Sequence, residues 1–257
     1  MTGELSTEAA RYFRDRIREA RAAALKDAEA FLGIVVAIEG LGRFLEGRRV
    51  GEFGNVRGQI AKLVDGSPLA RATEATDRRI HTPFAAAYDL VRQGRNSALH
   101  EGAYARHLTA KSVELALVVE DALTMKLNHI GDFMVQGVLT ASPWQPLSFV
   151  RQTMLSNSFS YLPVWMKVAG RDGWWLVSDY ALASHLRSID GAGRQERLAA
   201  TLEDAVGRGA LRLDMPLVCS PDLPVAEALA GGNGLPVLIC GAREQDLIGI
   251  ATPYDLL

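Results

Sequence analysis

The chain has 257 residues, room for two domains of ordinary size, and 48% of them are apolar against 23% charged. That balance belongs to a folded globular protein and excludes a disordered chain, a collagen-like repeat and a small disulfide-stapled scaffold. A formal net charge of −2 gives no whole-molecule sign of nucleic-acid binding, although residues 1–130 carry 19 Lys+Arg against 17 Asp+Glu and residues 131–257 carry 9 against 13.

The N-terminus, MTGELSTEAARYFRDR, is charged and has no apolar h-region, so it reads as no signal peptide. From Ser6, a plausible N-cap with Glu8 in the first turn and an incomplete capping box, apolar residues recur at helical intervals to about Glu46. The cluster RYFRDRIREAR within it reads as a solvated helix face. GRRVGEFGN breaks the pattern. A second helix covers roughly Val56–Leu63, and Asp65-Gly66-Ser67-Pro68 stops it. A third runs through Pro83–Gln93 and a fourth from about Thr109 to Asn128, with no strand before residue 130. The expectation for residues 1–130 is a helical bundle.

After residue 130 short β-branched and aromatic runs alternate with helical stretches. SFVRQTMLSN reads as a helix, and SYLPVWMKVAG and GWWLVSD as strands. The order then recurs: MPLVCSP, a helix at Leu223–Leu229, strands in GLPVLICG and DLIGIA, and a helix opening at TPYDLL. Leu162-Pro163-Val164 and Leu176-Val177-Ser178 in the first passage match Leu235-Pro236-Val237 and Ile250-Ala251-Thr252 in the second, an internal repeat joined by a polar, partly helical connector at 190–209. Cys219 and Cys240 sit in apolar runs and read as buried strand residues in a reducing compartment. No Cys/His cluster has metal-ligand spacing and no apolar run approaches the ~20 residues that span a bilayer, so the expectation is a cytoplasmic protein with neither metal nor membrane.

This repeat resembles a tandem pair of CBS domains, the module named after cystathionine β-synthase, with copies at about 131–189 and 210–257. Gly249-Ile250-Ala251-Thr252-Pro253-Tyr254-Asp255 carries most of the likeness: glycine and an apolar strand lead to a hydroxyl residue, two further residues and an aspartate. The resemblance implies an α+β chain, an all-α bundle followed by an α/β CBS pair. It also implies a regulatory adenine ligand (AMP, ATP or S-adenosylmethionine) whose ribose meets Thr252 and Asp255, beside Pro236 and Val237. A strand running into a helix start also presents free N–H groups and a positive dipole end. Without any ligand, Thr252, Pro253 and Asp255 make a sound helix start. In the first copy Ser178 is followed by Asp179, Tyr180 and Ala181, so the matching carboxylate is missing and one site at most is expected.

In the helical half, Arg95-Asn96-Ser97-Ala98-Leu99-His100 resembles the R-x4–6-H motif of the HEPN superfamily, many of whose members are metal-independent endoribonucleases. The resemblance implies catalytic roles for Arg95, Asn96 and His100, an RNA substrate, and a homodimer that joins two such sets, with the CBS pair as regulator of a toxin or stress effector. Histidine can move the proton and arginine can grip phosphate in bidentate fashion. On a continuous helix five residues turn the chain about 500°, leaving the two side chains ~140° apart. The bland readings are surface pairing of Arg95 with Asp89 or Glu101 and a structural His100. The alternative function is a non-catalytic adenine-nucleotide sensor whose helical domain dimerises or docks a partner.

Overall fold

The computed structural model describes residues 5–47, 53–75, 80–97, 102–187 and 191–256; at 96–97, 102–105 and 191–192 it describes the backbone. The chain is α+β and divides between Leu127 and Asn128 into two compact units.

In the first unit α1 (Thr7–Lys26) starts where the Ser6 side chain accepts from the Ala9 N–H at 3.2 Å. It does not run on to Glu46. Asp27 adopts an extended conformation, closes α1 with its own N–H on the Ala23 carbonyl, and caps a 3-10 turn at Ala28–Ala30 by accepting from the Glu29 N–H. The apolar spacing hides this break because α2 (Phe31–Glu46) resumes in helical phase, burying Phe31, Ile34, Val35, Ile38 and Leu41. α2 stops at Gly47, whose φ of 66° lies in the left-handed region that glycine adopts without strain. α3 (Phe53–Val64) follows, and then α4 (Pro68–Ala75) stands where a stop was expected. Pro68 occupies the first turn, where its missing N–H costs nothing, and the fully buried Ser67 caps the helix by accepting from the Ala70 N–H. Asp121 holds that corner by accepting from the Ser67 hydroxyl and the Leu69 N–H.

α5 (Phe84–Ser97) continues through Gly94 rather than ending at Gln93, and α6 (Gly102–Thr124) begins before Thr109. A Cβ at Gly94 would lie 2.8 Å from Leu108 Cγ, so this glycine lets α5 and α6 approach. α6 packs against α1, α2, α3 and α5 and forms the axis of the bundle. Its Glu120 is buried and accepts a bidentate pair from Arg21, with Arg18 Nε at 3.4 Å. The arginine-rich stretch of α1 is therefore solvated only in part: Tyr12, Asp15, Arg16 and Glu19 are exposed, whereas Arg14 is buried and Arg18 and Arg21 turn inward to that carboxylate.

The second unit holds both copies of the repeat. The first runs α7 (Leu147–Asn157), β1 (Tyr161–Val168), β2 (Arg171–Ser178) and α8 (Asp179–Leu186). The connector is more helical than its polarity suggests, with α9 (Gly191–Ala199) and α10 (Leu202–Gly207). The second copy runs β3 (Val218–Cys219), α11 (Val225–Gly231), β4 (Val237–Cys240), β5 (Leu247–Ala251) and a 3-10 turn at Pro253–Leu256 in place of the expected α-helix. β1 and β2 form an antiparallel hairpin, and β4 pairs parallel with β3 and antiparallel with β5.

Alternation along these strands divides the core into three. Leu162, Val164, Met166 and Val177 turn toward Leu147, Val150 and Met154 of α7. Val237, Ile239 and Ala251 turn toward Ala228 of α11. The opposite faces meet each other: Trp174 and Leu176 from the first copy pack with Leu238 and Cys240 from the second. Each copy also completes the other. Leu176 exchanges both backbone hydrogen bonds with Asp214, at 2.9 and 3.0 Å, on the chain entering the second copy. Its counterpart Ile250 does the same with Val135, at 2.8 and 3.1 Å, on the chain entering the first. Trp174 adds an indole N–H bond to the Glu244 carbonyl.

Cys219 and Cys240 face opposite sides of the sheet, which keeps them from a disulfide. Burial first, then the nearby Glu244, Cys219 and Asp246, pushes the Cys240 thiol up to about 11 from 9.0. A neutral buried thiol stabilises the fold fully below pH 9.0 and loses that contribution as pH rises toward about 11. Iodoacetamide at pH 8 is expected to leave Cys240 unmodified in the native protein and to alkylate it in urea, which mass spectrometry of the peptides checks.

Candidate functional site

β5 positions the candidate site by ending against a backbone that the other copy supplies. Gly249 lies where a Cβ would come within 2.8 Å of Met134 Cβ and 2.5 Å of its sulfur, so glycine lets the entering chain lie flat on the strand. One residue on, Ile250 is bonded to Val135. The strand then delivers Thr252 to the start of the 3-10 turn. There one oxygen of Asp255, Oδ2, accepts from both the Thr252 N–H at 2.8 Å and its hydroxyl at 2.7 Å. The Asp255 N–H in turn donates to the Thr252 carbonyl at 3.0 Å. The threonine and aspartate are thus locked together by a local cap, and the carboxylate keeps further acceptor capacity, since an ionised carboxylate offers about four lone-pair sites.

This pair lies at the wall of a cavity of about 560 Å³, within the usual range for small-ligand sites. Both copies line it. Val135, Val138 and Leu139 come from the chain entering the first copy, and Phe159, Tyr161 and Pro163 from the approach to β1 and its start. Gly234, Pro236, Ile250 and the 252–255 turn come from the second. Of the sequence-predicted residues, Thr252, Asp255 and Pro236 line the cavity. Val237, one residue further along the strand, is buried in the second copy's core with Ile130, Ala228 and Ile239. The walls from 135–139 and 158–161 were not singled out from sequence, because they reach the cavity through pairing between copies rather than through a local motif.

The matching position of the first copy is built differently, and Asp179 and Tyr180 beside it border another hollow. Ser178 is buried and caps α8 by accepting from the Ala181 N–H at 3.2 Å, and the Asp179 N–H donates to the Ser160 carbonyl. Ala181 supplies no carboxylate. A larger hollow of about 820 Å³ lies between α7, α8 and α9, bordered by Arg151, Arg187 and Arg194.

In the helical unit Arg95 is exposed on α5, with Nη1 3.6 Å from Glu39 Oε2, a carboxylate that also holds Arg43. It does not pair with Asp89, which faces Arg57 and Arg92. Asn96 is placed by its backbone in α5, and His100 and Glu101 lie outside the described residues. Among the described residues no group of His, Cys, Asp and Glu could hold a metal ion, and no helix is long and apolar enough to cross a membrane.

No protein-family model matches the chain, and no curated protein matches it in sequence. Solved structures do. A CBS domain-containing protein from Bacillus anthracis is 17% identical, with a TM-score of 0.40 over 50% of this chain and 88% of that one. The CBS-pair protein CBSX2 from Arabidopsis thaliana is 20% identical, with a TM-score of 0.36 over 50% of this chain and 90% of that one. CBSX2 in complex with AMP is 22% identical, with a TM-score of 0.34 over 50% of this chain and 92% of that one.

Proposed function

We propose that residues 131–257 are a tandem CBS pair that binds an adenosine-type regulatory ligand in the cavity beside Thr252 and Asp255, and that the helical domain, residues 1–130, carries the output by dimerising or docking a partner. The observation that carries this reading is the cavity itself: Thr252 and Asp255 of one copy border a space walled by Leu139, Phe159 and Tyr161 of the other. A hydroxyl and a carboxylate beside an apolar slot suit a ribose attached to a planar base, because the carboxylate accepts from ribose hydroxyls while the walls take the base out of water. A ligand seated there touches both copies, so its binding energy depends on how they pack, which is the requirement for a ligand to shift a conformational equilibrium.

The first copy contributes walls and no carboxylate, so one ligand per chain is expected. The ribonuclease reading of the helical domain rests on the Arg95-Asn96…His100 motif and the helices that flank it in sequence, and the Glu39 contact gives the Arg95 guanidinium a structural partner. Calorimetric titration of the full chain with a panel of AMP, ATP, S-adenosylmethionine and adenosine tests the site. Hydrogen bonds to charged groups are worth about 1.5–3 kcal/mol, so Asp255→Ala is expected to weaken the tightest ligand by roughly 10- to 100-fold. Equal binding by parent and variant defeats the assignment.

A further inference from the structure

We infer that the hollow between α7, α8 and α9 binds a small amphipathic anion, its acidic head at Arg151, Arg187 and Arg194 and its apolar body over Met154, Leu182 and Leu186. The inference does not depend on the nucleoside reading of the cavity beside Thr252, which adjoins this hollow through Ser158, Phe159 and Ser160. At about 820 Å³ the hollow lies within the range of small-ligand sites.

The apolar part follows from how the helices of the first copy pack. Met154, Leu182 and Leu186 belong to its buried core and also line the hollow. On the border of the same space Leu155 and Tyr180 are 62% and 79% exposed. Large apolar side chains left in water beside such a space gain by being covered.

Charge gives the hollow a direction. The Asp179 N–H donates to the Ser160 carbonyl at 2.9 Å, which ties the start of α8 to the end of α7. Asp179, the one carboxylate among the described lining residues, therefore stands at that end. Arg151 lies two turns back along α7 from Ser158, and Arg187 lies just past the last turn of α8, each about 10–12 Å away by helical rise. Arg194 comes from α9, which packs on both helices. Among the described residues none of the three arginines meets a carboxylate. The α8 carbonyls beside them are already taken, Ser184 by the Arg187 N–H and His185 by the Arg197 guanidinium. The result is an apolar slot with unpaired cations away from its one acid, which suits a carboxylate head on a hydrocarbon body. Because the arginines are solvated, the head alone holds little, and affinity requires the body as well.

The test is calorimetric titration of the full chain at pH 8 and fixed ionic strength with octanoate, octylammonium and acetate. Octanoate is expected to bind at least tenfold more tightly than octylammonium, which has the same body and the opposite charge. Acetate, a head without a body, should give no measurable binding. Arg187 and Arg194 are exposed, so Arg187→Glu/Arg194→Glu should keep the parent's unfolding midpoint while reversing the order of octanoate and octylammonium. Tyr180→Ser, also at an exposed position, should weaken octanoate by about threefold or more. Absence of octanoate binding, octylammonium equal to octanoate, or acetate equal to octanoate each overturns the inference. So does a double arginine variant that keeps octanoate and loses AMP, which would assign those arginines to the ligand of the adjoining cavity. The expected octanoate results without binding of any adenosine compound would defeat the nucleoside reading alone.

Discussion

Glu120→Ala is expected to destabilise the helical unit by about 3–5 kcal/mol, the cost typical of removing one partner from a buried ion pair. The Glu120 side chain is 6% exposed, and the arginines it neutralises, Arg18 and Arg21, are 26% and 18% exposed, so little solvent screens the charges left behind. Arg21 makes a bidentate pair at 2.8 and 3.1 Å, the geometry in which an arginine–carboxylate contact is strongest. The variant removes the carboxylate that the Arg18 and Arg21 guanidinium groups share. Thermal or urea unfolding followed by helical circular dichroism should register the loss as a fall in midpoint of roughly ten degrees or more. Replacing all three residues by apolar side chains of similar volume should restore most of the stability, because the desolvation cost disappears with the charges. A Glu120→Ala protein that unfolds within about 1 kcal/mol of the parent would show that water screens the cluster.

Gly249→Val is expected to cost about 1–3 kcal/mol, the range for overpacking a filled site, and to abolish the cavity's ligand affinity with it. A Cβ at that position meets the Met134 side chain from its Cβ to its sulfur, with contacts of 2.8 and 2.5 Å. The strand and the entering chain must separate to make room, and the separation falls beside the Val135–Ile250 bonds that set one wall of the cavity. Met134→Ala removes the atoms beyond Cβ and should recover part of the loss when combined with Gly249→Val. The cycle of four proteins, measured by urea unfolding, therefore shows a coupling between residues far apart in sequence. Strict additivity would mean that the glycine matters for its own backbone and not for its neighbour.

Much of the architecture could be read from residue spacing, and the exceptions share a cause. The helical first half, the alternating second half and the repeat landmarks all follow from local periodicity, and the fold class follows from them. The break at Asp27 escapes notice because an aspartate that caps its own turn leaves the apolar phase of α1 and α2 nearly continuous. Pro68 looks like a terminator until Ser67 is seen as a cap, which makes the same proline the opening of α4. The inward turn of Arg18 and Arg21 depends on Glu120, about a hundred residues away in sequence, and no window centred on α1 contains it. At the candidate site Thr252, Asp255 and Pro236 were legible because motif and repeat coincide there. The same strand alternation that brings Pro236 to the cavity sends Val237 into the core. Val138, Leu139, Phe159 and Tyr161 were not legible, since their place in the wall comes from one repeat lending backbone to the other.

That loan has a consequence for how the protein is made. Val135 meets its partner at Ile250, nearly the whole length of the second unit later, so during synthesis the first repeat leaves the ribosome with a position still to be filled by β5. Closure by such distant segments is slow, and the waiting edge is exposed to wrong partners in the meantime. The candidate cavity consequently forms only after β5 is made, and a nascent chain halted before β5 would have no such pocket to offer.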